Sequence, residues 1–145
     1  PFEEVRCRTF VDWQKTNGKF DQRHCLTDRN TEECGYNLAH KMMKGPKPPD
    51  VLVTGSDNMA VGVYRALHEL GLSIGDNIAV ASFNDISVAQ FLHPPLTTIR
   101  LPSEEIGEAA VDLLLERLGG RVIGKRIILA SKLVWRSSTR KPPRS

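Results

Sequence analysis

Apolar residues recur at helical intervals near the amino end, where Phe2, Val5 and Phe10 share a stripe, and the spacing predicts a helix from Phe2 to about Gln14, closed by Asn17-Gly18. A short strand is expected at His24 to Thr27, followed by a loop at Asp28 to Asn30. Asn30 and Glu33 have the spacing of a capping box, and Tyr36, Leu38, Ala39 and Met42 then repeat at helical intervals up to Gly45. Pro46-Lys47-Pro48-Pro49 cannot continue a helix, because proline lacks the N–H and clashes with the preceding turn. Val51-Leu52-Val53, a short continuous aliphatic run, reads as a buried parallel strand.

Gly55-Ser56-Asp57 supplies a turn and an N-cap, and Met59, Ala60, Val63, Leu67 and Leu70 form one apolar face that stops at Gly71. Ile78-Ala79-Val80-Ala81, within Asn77 to Ser82, is a second buried run, so residues 50–82 make a strand–helix–strand unit of the usual length. The class is α/β. Beyond it the pattern predicts a short helix near Ser87 to Leu92, a break at Pro94-Pro95, a strand at Thr97 to Arg100 and a helix from Ser103 to Leu118 before Gly119-Gly120. Ile127 to Leu129 and Lys132 to Trp135 read as closing strands, and Ser137 to Ser145 as a flexible tail.

The 145 residues suffice for one ordinary domain, and 40% hydrophobic with 26% charged residues is the composition of a folded globular chain. The chain opens Pro1-Phe2-Glu3-Glu4-Val5 with its helical pattern already under way, which reads as a start within a domain of a longer polypeptide. The net charge of +3 depends on four bases near the carboxyl end. Without Arg136, Arg140, Lys141 and Arg144 the body has 16 bases against 17 acids, a charge of −1, which offers no broad face for a phosphate backbone. Cys7, Cys25 and Cys34 are odd in number and lack metal-like spacing, so reduced thiols in a cytoplasmic protein are expected, with no metal. No apolar run is long enough to cross a bilayer, and no membrane partner is expected.

Ligands of open parallel sheets bind at the carboxyl ends of the strands, which selects two loops, Thr54-Gly55-Ser56-Asp57 and Ser82-Phe83-Asn84-Asp85. Their short polar side chains suit hydroxyl-rich, uncharged ligands. Capping preference alone reads Asp57 as a helix cap before a ligand contact, and Asn84-Asp85 is equally readable as turn chemistry. Neither a phosphate loop, a dinucleotide fingerprint nor a nucleophile elbow is present, and His24, His40, His68 and His93 are scattered, so no catalytic set can be assembled and no cofactor is implied.

The residues also carry a resemblance. Pro49-Asp50-Val51-Leu52-Val53, Ser56-Asp57-Asn58-Met59-Ala60-Val61-Gly62, Leu67-His68-Glu69-Leu70-Gly71-Leu72 and Asp76-Asn77-Ile78-Ala79-Val80-Ala81-Ser82-Phe83-Asn84-Asp85 follow one another in register. With Pro94-Pro95-Leu96-Thr97-Thr98-Ile99, the helix from Ser103 with Gly107 inside it, and Leu133-Val134-Trp135-Arg136-Ser137-Ser138-Thr139, this order resembles the effector-binding domain of the lactose/galactose-repressor family. The resemblance covers nearly the whole chain. It implies a periplasmic-binding-protein-like fold of two α/β lobes around a ligand cleft, with this chain a fragment carrying one three-layer, parallel-sheet lobe. Residues 1–96 would be the carboxyl-terminal lobe, 97–120 a segment of the other lobe, 121–136 the closing strands and 137–145 the tail.

Carried over residue by residue, the resemblance puts the ligand arginine on Arg6, four residues before Phe10, with Arg8 as the other register. It puts polar contacts on Ser56 and Asn84, with Asp57 in the same ligand loop but structural in character, and Asp85 as substitute for Asn84 if the loop turns, since relatives commonly have an acid at the Asn84 position. Asn30 stands where some relatives have an aromatic residue. A surface salt bridge from Arg6 to Glu3 or Glu4 is the plain alternative. The expected function is the effector-binding and dimerisation part of a sugar-responsive repressor, not an enzyme. Its ligand would be a mono- or disaccharide, with a purine or nucleoside as runner-up. It would form a homodimer through Val61, Tyr64, Phe91 and Leu92, and reach operator DNA only through an upstream helix-turn-helix head. A solute-binding protein of sugar uptake on the same fold is the competing reading, and a hydrolase or transferase the third.

Overall fold

The structure is a computed structural model that describes residues 2–139. Its helices are α1 (Phe2–Thr16), α2 (Glu32–Met43), α3 (Asp57–Glu69) and α4 (Ser103–Leu118), and its strands β1 (Val51–Val53), β2 (Ala79–Asn84), β3 (Thr97–Arg100) and β4 (Lys132–Val134). Single 3-10 turns occupy Gln22–His24 and Ser87–Gln90. The sheet runs β1-β2-β3-β4, with β1, β2 and β3 parallel and β4 antiparallel to β3. No helix among the described residues is long and apolar enough to cross a membrane.

The β1-α3-β2 unit is built as its hydrophobic pattern predicts. Leu52 and Val80 are matched across the ladder, and Val63 and Leu67 of α3 pack over them with Ile78, Ala89 and Leu96. Leu67, Val80 and Leu96 are sealed from solvent. Only one face of β1 is covered, so Val51 and Val53, which point the other way, stay half-exposed rather than buried. Tyr64 lies in this core and donates its hydroxyl to the Pro94 carbonyl at 2.9 Å, and burial pushes its phenol up to about 12.

Two glycines let α2 and α3 touch backbone to backbone. A Cβ on Gly62 would run into the Glu32 carbonyl, and one on Gly35 into the Met59 carbonyl, so neither position has room for a methyl group.

Several sequence expectations change. Residues 24–27 form no strand: the Asp21 side chain accepts from the Arg23 N–H and winds Gln22–His24 into a 3-10 turn. The cap of α2 is Thr31, one residue later than expected, its hydroxyl accepting from the Cys34 N–H at 3.2 Å. In 121–136 only β4 is a strand. Ile128 is exposed and 127–129 run unpaired, since β4 already occupies the edge of β3.

The expected tail is the largest correction. Residues 140–145 lie outside the described ones, but Ser138 is completely buried and inserted where the β2 and β3 ladders begin. Its hydroxyl donates to the Val80 carbonyl at 2.6 Å and accepts from the Thr97 N–H at 2.7 Å, while its carbonyl accepts from the Val80 N–H. Gly75, at φ +88°, brings the preceding turn against this segment, where a Cβ would stand 2.5 Å from the Ser137 carbonyl. Backbone groups that start a ladder need partners, and a short hydroxyl residue meets three of them in one place.

α4 has no buried residue, and Ile106, Val111, Leu114, Leu115 and Leu118 all stand at least half out of contact or nearly so. The two glycine environments give a direct check by denaturant unfolding. Gly62→Ala is expected to cost about 2 kcal/mol or more by forcing α2 from α3. Gly107→Ala, on α4 where a Cβ meets nothing within 4 Å, should gain about 0.5–1 kcal/mol from helix propensity. Equal effects would contradict the close crossing.

Candidate functional site

The carboxyl ends of β1 and β2 are held at fixed separation by a buried polar frame. Thr54 N–H donates to the Ala81 carbonyl at 2.9 Å, and its hydroxyl reaches Ser82 Oγ at 2.9 Å and the Ser56 carbonyl at 3.1 Å. Asp57, with no exposed surface, accepts at Oδ1 from the Thr98 hydroxyl and at Oδ2 from the Ile86 N–H, both at 2.8 Å. One carboxylate therefore joins the loop after β1 to the loop after β2 and to β3.

This geometry moves the cap expected of Asp57 to Ser56. Ser56, in extended conformation, caps α3 by accepting from the Met59 N–H at 3.4 Å, and Asp57 is the first helical residue, turned under into the sheet. Asp57 is thereby removed from the ligand set: both of its oxygens are used inside the protein. Its charge sits at the amino end of α3, where the helix dipole favours an anion. Ser56 is almost fully buried, and a hydroxyl that accepts in a cap keeps its own proton for donation.

Arg6 comes to the same place from α1. Its Nη1 donates to the Gly55 carbonyl at 3.2 Å, and its guanidinium lies 4.7 Å above the centre of the Phe83 ring. The ring face supports the flat cation and orients its remaining donors. The side chains of Glu3 and Glu4, the alternative partners, lie outside the described ones, and Arg8 is exposed. Asn30 borders the same loop, its Oδ1 standing 2.9 Å from where a Gly55 Cβ would be.

Asn84 ends β2 at φ 110°, and Asp85 follows at φ 56°. Two consecutive residues in the left-handed region are costly for anything but Gly, Asn or Asp, and the usual figure is about 1–3 kcal/mol each. What holds them is Asp85. Its carboxylate meets Arg100 Nε at 2.6 Å and Arg136 Nη1 at 2.7 Å, with only 4% of the side chain exposed. Burial alone would raise the Asp85 pKa, but the Arg136 and Arg100 hydrogen bonds outweigh it and hold the carboxyl below its ordinary value. Asp85 is therefore not a substitute for Asn84: the rotation of the loop that would turn it to a ligand would leave two arginines unpaired.

The structure places Arg6, Ser56 and Asn84 at the carboxyl ends of β1 and β2, and beside them Phe83, Arg100 and Arg136, which the sequence reading did not single out. Phe83 carried a usable signal, an aromatic between two polar residues at a strand end. Arg136 did not, because it stands beside the serines and bases that read as a tail. Two hollows of about 320 and 410 Å³ are lined by Arg23, Lys41 and Met42 and by Tyr64, His68 and Pro94 respectively, and neither includes Arg6, Ser56 or Asn84. The described residues contain no group of three or more His, Cys, Asp or Glu able to hold a metal.

Comparison with known proteins now adds to the geometry. The periplasmic binding protein-like domain family matches residues 1–139. The chain is 53% identical over 113 residues to the lactose operon repressor of Rhizobium radiobacter, taking in 78% of this chain and 100% of that one. It is 35% identical over 139 residues to the HTH-type transcriptional regulator GalR of Streptococcus thermophilus, covering 94% of this chain and 42% of that regulator. The LacI family transcriptional regulator from Lactobacillus casei, solved with bound sucrose, superposes with a TM-score of 0.79 at 28% identity, over 91% of this chain and 50% of that one. Against these last two the chain spans half of the length or less. With its parallel sheet, its SDNMA loop and its polar strand ends, the chain belongs to the lactose/galactose-repressor family and carries the periplasmic-binding-protein-like domain of those regulators.

Proposed function

We propose that these residues form one lobe of the effector-binding domain of a sugar-responsive transcriptional repressor, and that the effector is a neutral mono- or disaccharide held by Arg6, Ser56 and Asn84. The observation that carries this reading is the convergence of a ring-supported guanidinium with the Asn84 residue at the carboxyl ends of two parallel strands. An arginine fork holds two neighbouring hydroxyl oxygens, and an amide both donates and accepts, which matches the mixed demand of sugar hydroxyls. No bond in the sugar is made or broken. Relatives named as lactose and ribose operon repressors, and a regulator solved with bound sucrose, support the substrate class.

The rest of the cleft belongs to a second lobe. The uncovered apolar face of α4 supports the assignment of 101–120 to that lobe, since a helix with this much exposed Leu, Ile and Val is made to be packed against something, whereas 97–100, expected there as well, are β3 in the sheet of this lobe. Operator binding in the whole protein is assigned to a helix-turn-helix head outside these residues, and the protein to the cytoplasm, where such a head finds its DNA. For dimerisation, Phe91 is 69% exposed while Val61 and Leu92 are half-buried, which supports Phe91 as the anchor of a symmetric contact. Tyr64, expected as a contact, belongs to the core of this lobe instead.

Calorimetry of the full-length protein against lactose, galactose, sucrose and ribose tests the site. At least one sugar should bind, and Arg6→Ala and Asn84→Ala should each weaken it at least tenfold; unchanged affinity in both variants would refute the assignment. In sedimentation, Phe91→Ser should shift the full-length dimer toward monomer at micromolar concentration, and an unaltered profile would remove Phe91 from the interface.

A further inference from the structure

Residue Asp85 stands at a crossing of chain paths. The chain leaves the sheet for α4 immediately after Arg100, the last residue of β3, and comes back along β4, where Lys132 lies opposite Arg100 and Arg136 follows two residues beyond the strand. These two arginines are the ones that grip Asp85. Arg136 also donates to the Leu96 carbonyl at 2.8 Å, so its position is fixed to the start of β3, and the Asp85 N–H reaches the same Thr98 hydroxyl that holds Asp57. On the other side Asp85 is bonded directly to Asn84, whose left-handed backbone cannot move unless Asp85 moves.

We infer that Asp85 is a positioning residue that couples Asn84 to both connections between this lobe and the α4 excursion. The inference rests on the reading of Asn84 as an effector contact. Effector held by the Asn84 amide pulls on a residue whose neighbour is ion-paired to the outgoing and the returning strand, so a small change at the site shifts the departure angle of both. A buried carboxylate held by two arginines has one well-made arrangement, so a displacement of Asn84 is carried to both arginines instead of being absorbed at Asp85. The Asp57 frame, by contrast, ties the loops to β3 within the lobe and touches neither arginine.

The substitution that isolates the effect is Asp85→Asn, because asparagine tolerates the left-handed region and removes the charge alone. Arg100→Gln, on an arginine that is more than half exposed, is the milder second variant and leaves the core untouched. Hydrogen exchange followed by mass spectrometry on the full-length protein, free and with the sugar that binds in calorimetry, reads both ends. In the free protein Asp85→Asn should exchange at least tenfold faster at residues 84–86 and 132–136, Arg100→Gln should shift the same segments by less, and α2 and α3 should be unchanged. With sugar, the wild type should be slowed at 84–86 and also over 101–131, and Asp85→Asn only at 84–86. Wild-type exchange in Asp85→Asn, or acceleration spread evenly through α2 and α3, would overturn the coupling. Should no sugar give heat with the wild type, the reading of the site fails, and the comparison of the free proteins still decides whether Asp85 links these segments.

Discussion

A carboxylate sealed from water must be met by donors from the protein, and Asp57 draws them from two different directions, the Thr98 hydroxyl on β3 and the Ile86 N–H beyond β2. In a sheet of short strands, β1 having three residues and β3 four, the ladders alone fix the strand ends weakly. The carboxylate supplies the missing constraint. Removing it would leave the buried Thr98 hydroxyl and the part-buried Ile86 N–H without this partner, a penalty of about 1–3 kcal/mol for the buried group. The separation of the two loops, and with it the distance between Ser56 and Asn84, depends on this contact.

Around it the lobe is organised in two regimes. On the side of α2 and α3 the packing is apolar and close, down to glycine against backbone. At the carboxyl ends of the strands it is polar and strained, with Asn84 and Asp85 in left-handed conformations and Arg6 laid on Phe83. The first regime makes the second tolerable, since strained residues persist only where their surroundings hold them. The near-neutral charge of the body suits the neutral ligand proposed for it.

The β1-α3-β2 unit was legible because periodicity and length agree there: Val51 to Val53, the face from Met59 to Leu70 and Ile78 to Ala81 each have one consistent reading. Where the reading went astray, a side chain changed what the backbone could do. Asp21 turned a predicted strand into a 3-10 turn, and Ser138 turned a predicted tail into a ladder partner for Val80 and Thr97. Short polar residues near a chain end carry no hydrophobic pattern, so nothing local distinguishes a tail from an inserted segment. Ser56 and Asp57 were found as a loop but the cap fell on Ser56 instead of Asp57, because capping preference treats both as good caps and only the position of Thr98, 41 residues on, decides which one turns inward.

The most direct test of this account is a double-mutant cycle in denaturant unfolding with Asp57→Asn, Thr98→Val and both together. An amide has one carbonyl oxygen and cannot serve the Thr98 hydroxyl and the Ile86 N–H as a carboxylate does. The two losses should therefore be strongly non-additive, with a coupling of about 1–3 kcal/mol, as for a hydrogen bond to a charged group. Losses that simply add would show that Asp57 and Thr98 act independently, and that the strand ends are fixed by something else.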